Sequence, residues 1–312
     1  MLLDFVFDVK DGVLKKYLGK EEHVVLPDVI TAIGEKAFFN CKFLKSVKFP
    51  DHLTTIENRA FVNCIKLENV IIPESVTEIG FQAFENCNAL VEFTIPPKVK
   101  KIEPATFGYC ENLKTVIIPD SVKRICQFAF AKCVNLENVS LPKNLTVIER
   151  YAFCHCYSLS SVSIPNKVSK MGEGAFTVCS NLKNATIGDG VKRILNVTFK
   201  DCKNLKLIHL GDNTEEIGSS AFERCESLES VIIPDKVTLI DGCAFYNCTS
   251  LTDITIGKNV KTIWFKAFAS ESSSNIQTVH YHGSREDWEK IKIDVGNFSI
   301  EKAVIFDNQN GE

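Results

Sequence analysis

The sequence predicts an α/β solenoid of about eleven coils, and three observations carry that prediction. A phenylalanine recurs at positions 38, 61, 84, 107, 130, 153, 176, 199, 222, 245 and 268, every step being 23 residues. A cysteine follows it three residues later in ten of these units, from Cys41 to Cys248. A short alternating run of the type Val-x-Ile-Pro then closes most of them, as in Val70-Ile71-Ile72-Pro73 and Val116-Ile117-Ile118-Pro119. Self-similarity at one fixed period is the signature of a repeat architecture. Each coil of such an array touches only its neighbours, so 312 residues need not divide into separate globular domains.

The N-terminal segment, residues 1–23, reads as a capping hairpin. Phe5-Val6-Phe7 and Val9 precede Lys10-Asp11-Gly12, and Val13, Leu14 and Tyr17 follow. Asp-Gly between apolar runs is the usual two-residue hairpin turn. A terminal coil would otherwise leave its apolar face open, which is why arrays carry caps. Val24-x-Leu26-Pro27, Ile30 and Ile33 supply the second half of a repeat, so the array itself is placed at 24–282.

Within each unit, Phe-x-x-Cys-x-x-Leu has the spacing of one short helical turn, too short to stand alone. The Val-x-Ile-Pro run reads as a strand, because β-branched residues alternate inward and outward. Proline ends it where no ladder donor is needed. A second extended piece, such as Val122-x-x-Ile125, leads into the next Phe. The string Ala-Phe-x-x-Cys-x-x-Leu-x-x-Val-x-Ile-Pro-x-x-Val-x-x-Ile closely resembles the BspA-like class of bacterial leucine-rich repeats, from roughly Val24 to His282. Thr106 and Thr198 for Ala, Ala185 for Val, and Gly188, Gly211 and Gly257 for Pro depart from it without breaking the register. The resemblance implies a leucine-rich-repeat solenoid, a surface-associated adhesin or interaction module, and an ending that carries a Trp-bearing helix.

Beyond Phe268 the pattern loosens. The loop Ser270 to Asn275 adds two residues, and Ile276, Val279 and Tyr281 resume the register. Ser284-Arg285-Glu286-Asp287 resembles an N-cap with an acid at the third helical position. It opens a short helix in which Trp288 and Ile291 share a face. With a strand at Ala303-Val304-Ile305-Phe306, this forms a C-terminal cap over 283–312, and the tail from Asp307 is polar.

Composition narrows the function classes. A net charge of -3 gives no general attraction to nucleic acid or anionic membrane. No apolar run approaches the ~20 residues that span a bilayer. Met1-Leu2-Leu3-Asp4 has no basic segment and is not a signal peptide. The chain as written therefore reads as cytoplasmic, with the cell surface as the alternative had a leader been removed. The thirteen cysteines read as reduced. In-register coils lie ~4.8 Å apart, whereas a disulfide wants converging Cβ atoms ~3.8 Å apart. A buried thiol column behaves as a small hydrophobe.

Candidate chemistry is sparse. His280-x-His282 puts two imidazoles on one strand face, and the choice lies between metal ligands lacking a third partner and solvent-facing histidines. Cys154-x-Cys156 mixes one column thiol with one at a more exposed slot, while Cys126 and Cys243 lie outside the column and react most readily if exposed. Nothing resembles a nucleophile elbow or a phosphate-binding loop, so neither an active site nor a cofactor is expected.

Reading the repeat vertically is more informative. One outward strand row runs Lys48, Ile71, Thr94, Ile117, Ser140, Ser163, Thr186, His209, Ile232, Thr255. It is either a solvated face chosen for strand propensity or a broad, low-charge recognition face. A second row is basic in its middle, with Lys100, Lys101, Lys123 and Arg124, then Lys170, Lys192 and Arg193, and ends at Glu215-Glu216. Ordinary solubility and anion binding are its two readings. Phe81, Phe128 and Tyr151 precede the repeating Ala by one or two slots. They form a partner patch if exposed together, or simply pack under one another. The expected function is a monomeric, non-enzymatic protein-interaction scaffold for an unknown protein or glycan, with a surface adhesin as the alternative and an enzyme with a cryptic site as the third reading.

Overall fold

The structure, a computed structural model, describes residues 6–271 and 275–306. Phe5, residues 272–274 of the serine-rich loop and the tail from Asp307 lie outside the described residues. The chain forms two compact units, Met1–Ser158 and Leu159–Glu312, and each is a solenoid of short parallel strands.

In the first unit every coil carries two strands. One series comprises His23–Val25, Ser46–Lys48, Asn69–Val70, Glu92–Thr94, Thr115–Ile117 and Asn138–Val139. Pairing is parallel at a step of 23 residues, as Thr115 pairs with both Glu92 and Asn138. A second ladder, of two-residue strands, runs through Ala32–Ile33, Thr55–Ile56 and Glu78–Ile79, and again through Lys101–Ile102, Arg124–Ile125 and Val147–Ile148. The hairpin Phe7–Lys10 and Val13–Tyr17 closes at Asp11 and Gly12, both with positive φ (52° and 75°), and its second strand joins this ladder beside Ala32–Ile33. Tyr17 takes the place of the repeating Phe and packs on Phe38 at 5.1 Å.

The second unit repeats the plan. Its longer strands are Ser161–Ile164, Asn184–Ile187, Leu207–His209, Ser230–Ile233, Asp253–Ile256, Thr278–Tyr281 and Val304–Phe306. The two added residues are absorbed between ladders, since Asp253 pairs with Thr278 at a step of 25. Ser284 caps the helix Arg285–Trp288 by accepting the Asp287 N–H at 3.1 Å, and Trp288 is buried edge-on against Tyr281. The strand Lys292–Ile293, the helix Phe298–Lys302 and the strand Val304–Phe306 follow, so both ladders run on past His282. The longer series thus holds thirteen strands among the described residues. The two beyond the eleven Phe-bearing coils are His23–Val25 and Val304–Phe306.

The core is a column of rings. In the first unit, from Phe38 to Phe153, successive rings lie 4.8 to 5.9 Å apart and within 9° of parallel. In the second, from Phe176 to Phe268, the spacing is 5.0 to 5.5 Å. Strand pairing sets that period near 4.8 Å, and burial of each ring contributes about 1.5–3 kcal/mol.

The segment after each Phe is not the helical turn its spacing suggests. It is a chain of tight turns: Cys41 N–H donates to the Phe38 carbonyl at 3.1 Å, and Leu44 N–H to Cys41 at 3.1 Å. In each coil from Phe38 to Phe245 two residues, two before and two after the Phe, adopt left-handed backbone, for example Lys36 (58°) and Asn40 (62°), Phe128 (58°) and Lys132 (60°). Each non-glycine residue held there costs on the order of 1 kcal/mol. Helix is thereby excluded, because a left-handed residue cannot continue a right-handed turn. The α component expected from the sequence shrinks to the two short C-terminal helices.

What these turns gain is bonding between coils. Lys36, Phe38 and Asn40 donate N–H groups forward to the carbonyls of Asn58, Ala60 and Val62 in the next coil. Elsewhere in the coil the direction reverses, with Thr54, Glu57 and Glu68 donating back to Thr31, Ile33 and Lys45. Buried peptide groups are thus satisfied without helix or long strand.

The cysteines do more than fill space. Cys64, Cys87, Cys110 and Cys133 point their thiols at the carbonyls of Phe38, Phe61, Phe84 and Phe107, 3.1–3.2 Å away in the preceding coil. Cys202, Cys225 and Cys248 do the same in the second unit. Cys133→Ala is expected to cost about 1–3 kcal/mol, read by urea denaturation, because a buried carbonyl loses a donor as well as contacts. Cys133→Val, which refills the space, should not restore the wild-type midpoint. Full recovery would leave only a packing role for the sulfur.

Candidate interaction surfaces

The outward strand row lies where the repeat forces it, since alternation turns every second side chain away from the core. In the first unit it presents Val25, Lys48, Ile71, Thr94 and Ile117, with Ile71 86% and Ile117 58% exposed. In the second it presents Ser163, Thr186, His209, Ile232, Thr255, His280 and Ile305, with Ile232 63% exposed. Each unit opens a groove at equivalent repeat positions. One is lined by His23, Val25, Lys48, Asp51, Ile71 and Pro73. The other is lined by Leu207, His209, Asp212, Ile232, Asp235 and His282. Both have aliphatic floors beside an aspartate of the turn that follows the strand.

The basic row is partly neutralised. Lys101 pairs with Glu103 at 2.7 Å, Arg124 with Glu149 at 2.8 Å, Lys192 with Glu215 at 2.8 Å and Arg193 with Glu216 at 3.2 Å. Lys100 and Lys123 are exposed with no ion pair among the described residues. Lys100 and Lys101 line an open groove with Lys98, Thr77, Glu78 and Ser121.

The three aromatics separate into two places. Phe128 and Tyr151, two coil-equivalent left-handed residues, stack at 5.5 Å with 6° between planes. Phe81 sits one position earlier in its own coil and lies instead under the Arg59 guanidinium at 5.3 Å. The rings of the pair pack on one another, and Phe128 stays 38% exposed.

Cys154 is buried, not at an exposed slot, as are Cys156 and Cys126. Burial pushes the Cys126 thiol up to about 12, with Glu149 and Glu103 adding to it. Cys243 alone among the thirteen is partly exposed, and burial raises it too. His282 Nδ1 lies 3.1 Å from Asp235 Oδ1, while His280 stands on the outward row. Among the described residues no three His, Cys, Asp or Glu side chains could hold a metal ion, and no helix is long and apolar enough to cross a membrane.

A cluster on the turn side escaped the reading of the sequence. Two residues after the Phe, the left-handed slot holds Asn40, Asn63 and Asn86, whose amides form a ladder at 2.7 and 2.6 Å. The next three coils place Tyr109, Lys132 and His155 there. Lys132 Nζ lies 4.7 Å above the Tyr109 ring, and His155 Nδ1 is 3.1 Å from the Tyr157 hydroxyl. Burial, then Lys132, hold the His155 imidazole below its usual range. Listing that slot at steps of 23 would have exposed the change.

A family model described as BspA type leucine rich repeat region matches in six copies, over residues 16–126, 100–222 and 179–290. The chain belongs to that family. Among solved structures of such proteins, a leucine rich cell surface protein of Faecalibacterium prausnitzii A2-165 is 28% identical, covers 90% of this chain and 93% of its own, and has a TM-score of 0.50. A leucine-rich repeat protein of Bacteroides ovatus is 27% identical over 95% and 94%, with a TM-score of 0.48. The pneumococcal vaccine antigen PcpA, 18% identical over 94% and 90%, shares the fold with a TM-score of 0.54. No curated protein matches the chain in sequence.

Proposed function

We propose that this BspA-type repeat protein is a non-catalytic binding module that holds a protein partner on its outward strand face. The observation that carries this reading is the recurrence, in each compact unit, of an aliphatic-floored groove at the same repeat positions. An outward strand residue contributes nothing to the core, so solubility alone favours Thr or Ser there. Ile71 at 86% exposure, with Val25, Ile117 and Ile232, instead presents apolar area that gains only by being covered. Low charge along the row suits a broad contact more than a charged ligand.

The test is affinity capture from cell lysates with wild type and an Ile71→Glu/Ile117→Glu variant. Both positions are exposed, so the variant is expected to keep the wild-type circular dichroism spectrum and melting temperature. Retention of a protein partner should fall at least tenfold. Equal capture by both proteins removes the strand face from consideration, and binding confined to a glycan array would replace the protein partner with a saccharide. A cell-surface, adhesin-like setting is supported by one observation, the Faecalibacterium relative described as a cell surface protein. Protease treatment of intact source cells tests it: a surface protein is cleaved and an internal one survives.

A further inference from the structure

We infer that Tyr109, Lys132, His155 and Tyr157, with the neighbouring Phe128–Tyr151 stack, form a second binding site, on the turn side, for an acidic polypeptide segment that also carries apolar side chains. The argument begins with the backbone. The slot two residues after the Phe is left-handed in every coil from Phe38 to Phe153, and asparagine is a side chain that tolerates this conformation well. Asn40, Asn63 and Asn86 use it and gain a ladder of amide hydrogen bonds. Tyr109, Lys132 and His155 give up that ladder in three consecutive coils and occupy the same strained backbone, with φ of 61°, 60° and 59°. Tyr109 and Lys132 are exposed, His155 is half-buried, and Tyr157 beside it is exposed. Bonding between coils imposes the φ, so what sets these coils apart is the exposed aromatic and basic side chains they place there.

The same coils change at the adjoining slots in a concerted way. The residue after the Phe is Phe39, Val62 or Glu85 in the asparagine coils, and Gly108, Ala131 or Cys154 here. The left-handed slot before the Phe is Ala105 in the first of these coils and aromatic in the next two, at Phe128 and Tyr151. Small residues therefore separate the two left-handed slots in these three coils.

Chemistry selects the occupant. Lys132 is held over an aromatic ring and has no carboxylate within ion-pair distance among the described residues. The exposed acids Glu111, Asp120 and Glu137 make no ion pair with it among the described residues. A pre-positioned ammonium beside aromatic side chains suits a carboxylate flanked by apolar groups. A saccharide would want open ring faces. Here Phe128 and Tyr151 spend a face on each other, and Tyr109 spends one on the ammonium. A peptide, whose side chains pack against ring edges, fits better.

The experiment measures fluorescence anisotropy of labelled 12-residue peptides, Glu alternating with Leu or Phe, against the full chain. Matched Lys peptides, all-Glu peptides and hyaluronate serve as comparison probes. The Glu/Leu or Glu/Phe peptides are expected to bind at least tenfold more tightly than the Lys and all-Glu peptides, and more weakly as salt rises. Tyr109→Asn/Lys132→Asn/His155→Asn, which extends the asparagine ladder and so should not lower the melting temperature, is expected to weaken binding at least tenfold. Ile71→Glu/Ile117→Glu should leave it unchanged, which separates this site from the strand face. No binding, equal binding to the triple variant, or binding of hyaluronate alone would each overturn the assignment.

Discussion

Raising the pH from 7.5 to 9.5, in the presence of a phosphine reductant, is expected to lower the urea midpoint steeply. The cause is the thiol column. Burial pushes Cys110 and Cys248 up to about 12 and Cys41 up to about 11. Burial also raises Cys64, Cys87, Cys133, Cys202 and Cys225. In the unfolded chain a thiol loses its proton near 8.5. Above that pH the unfolded state binds fewer protons than the folded one, so stability falls as pH rises. Below about pH 8 both states keep their protons and these groups add no pH dependence. Between the two values each thiol removes about 1.4 kcal/mol per pH unit. Cys41, Cys110 and Cys248 together remove about 4 kcal/mol by pH 9.5, and the other five act in the same direction. Coils that open separately would show the loss in stages. An unchanged midpoint between the two pH values would mean that the thiols are not held protonated in the core.

Phe107→Ala is expected to destabilise the Met1–Ser158 unit by about 3–5 kcal/mol. The ring is fully buried and touches three others: Phe84 at 5.9 Å, Phe130 at 5.3 Å and Phe93 edge-on at 4.6 Å. Its neighbours cannot collapse into the gap, because each is pinned by its own coil at the ladder spacing. Chemical denaturation of this unit gives the value directly. A loss below about 1 kcal/mol would show that the ring column is not what holds the coils together.

The period made the architecture legible. Once Phe recurs at 23 residues, the alternation of Val70, Ile71 and Ile72 fixes which side chain faces out, and the structure places Ile71 accordingly. The turns were not legible, for a physical reason. Their left-handed slots hold Lys36, Gln82, Ala105, Phe128, Tyr151 and Val197, with glycine only at Gly174. No residue type announces a positive φ that bonding between coils imposes. The cysteines were read as small apolar groups, since nothing in the sequence shows a carbonyl waiting one coil back. Phe81 was grouped with Phe128 and Tyr151 on proximity to the alanine, yet a single slot of offset turns it toward Arg59. Tyr109, Lys132 and His155 are not legible from the repeat because their slot lies outside the apolar period and accepts many residue types.

The opposed hydrogen bonds of each coil have an electrostatic consequence. The N–H groups of Lys36, Phe38 and Asn40 point toward the following coil, and those of Thr54, Glu57 and Glu68 point back. Their peptide dipoles oppose one another, whereas those of an α-helix add up to a pole at each end. Coils added within a unit therefore build a weaker axial field than aligned peptides of a helix would. Attraction of a charged partner therefore rests on side chains such as Lys132, placed slot by slot, and each such charge can be changed without disturbing the field of the backbone.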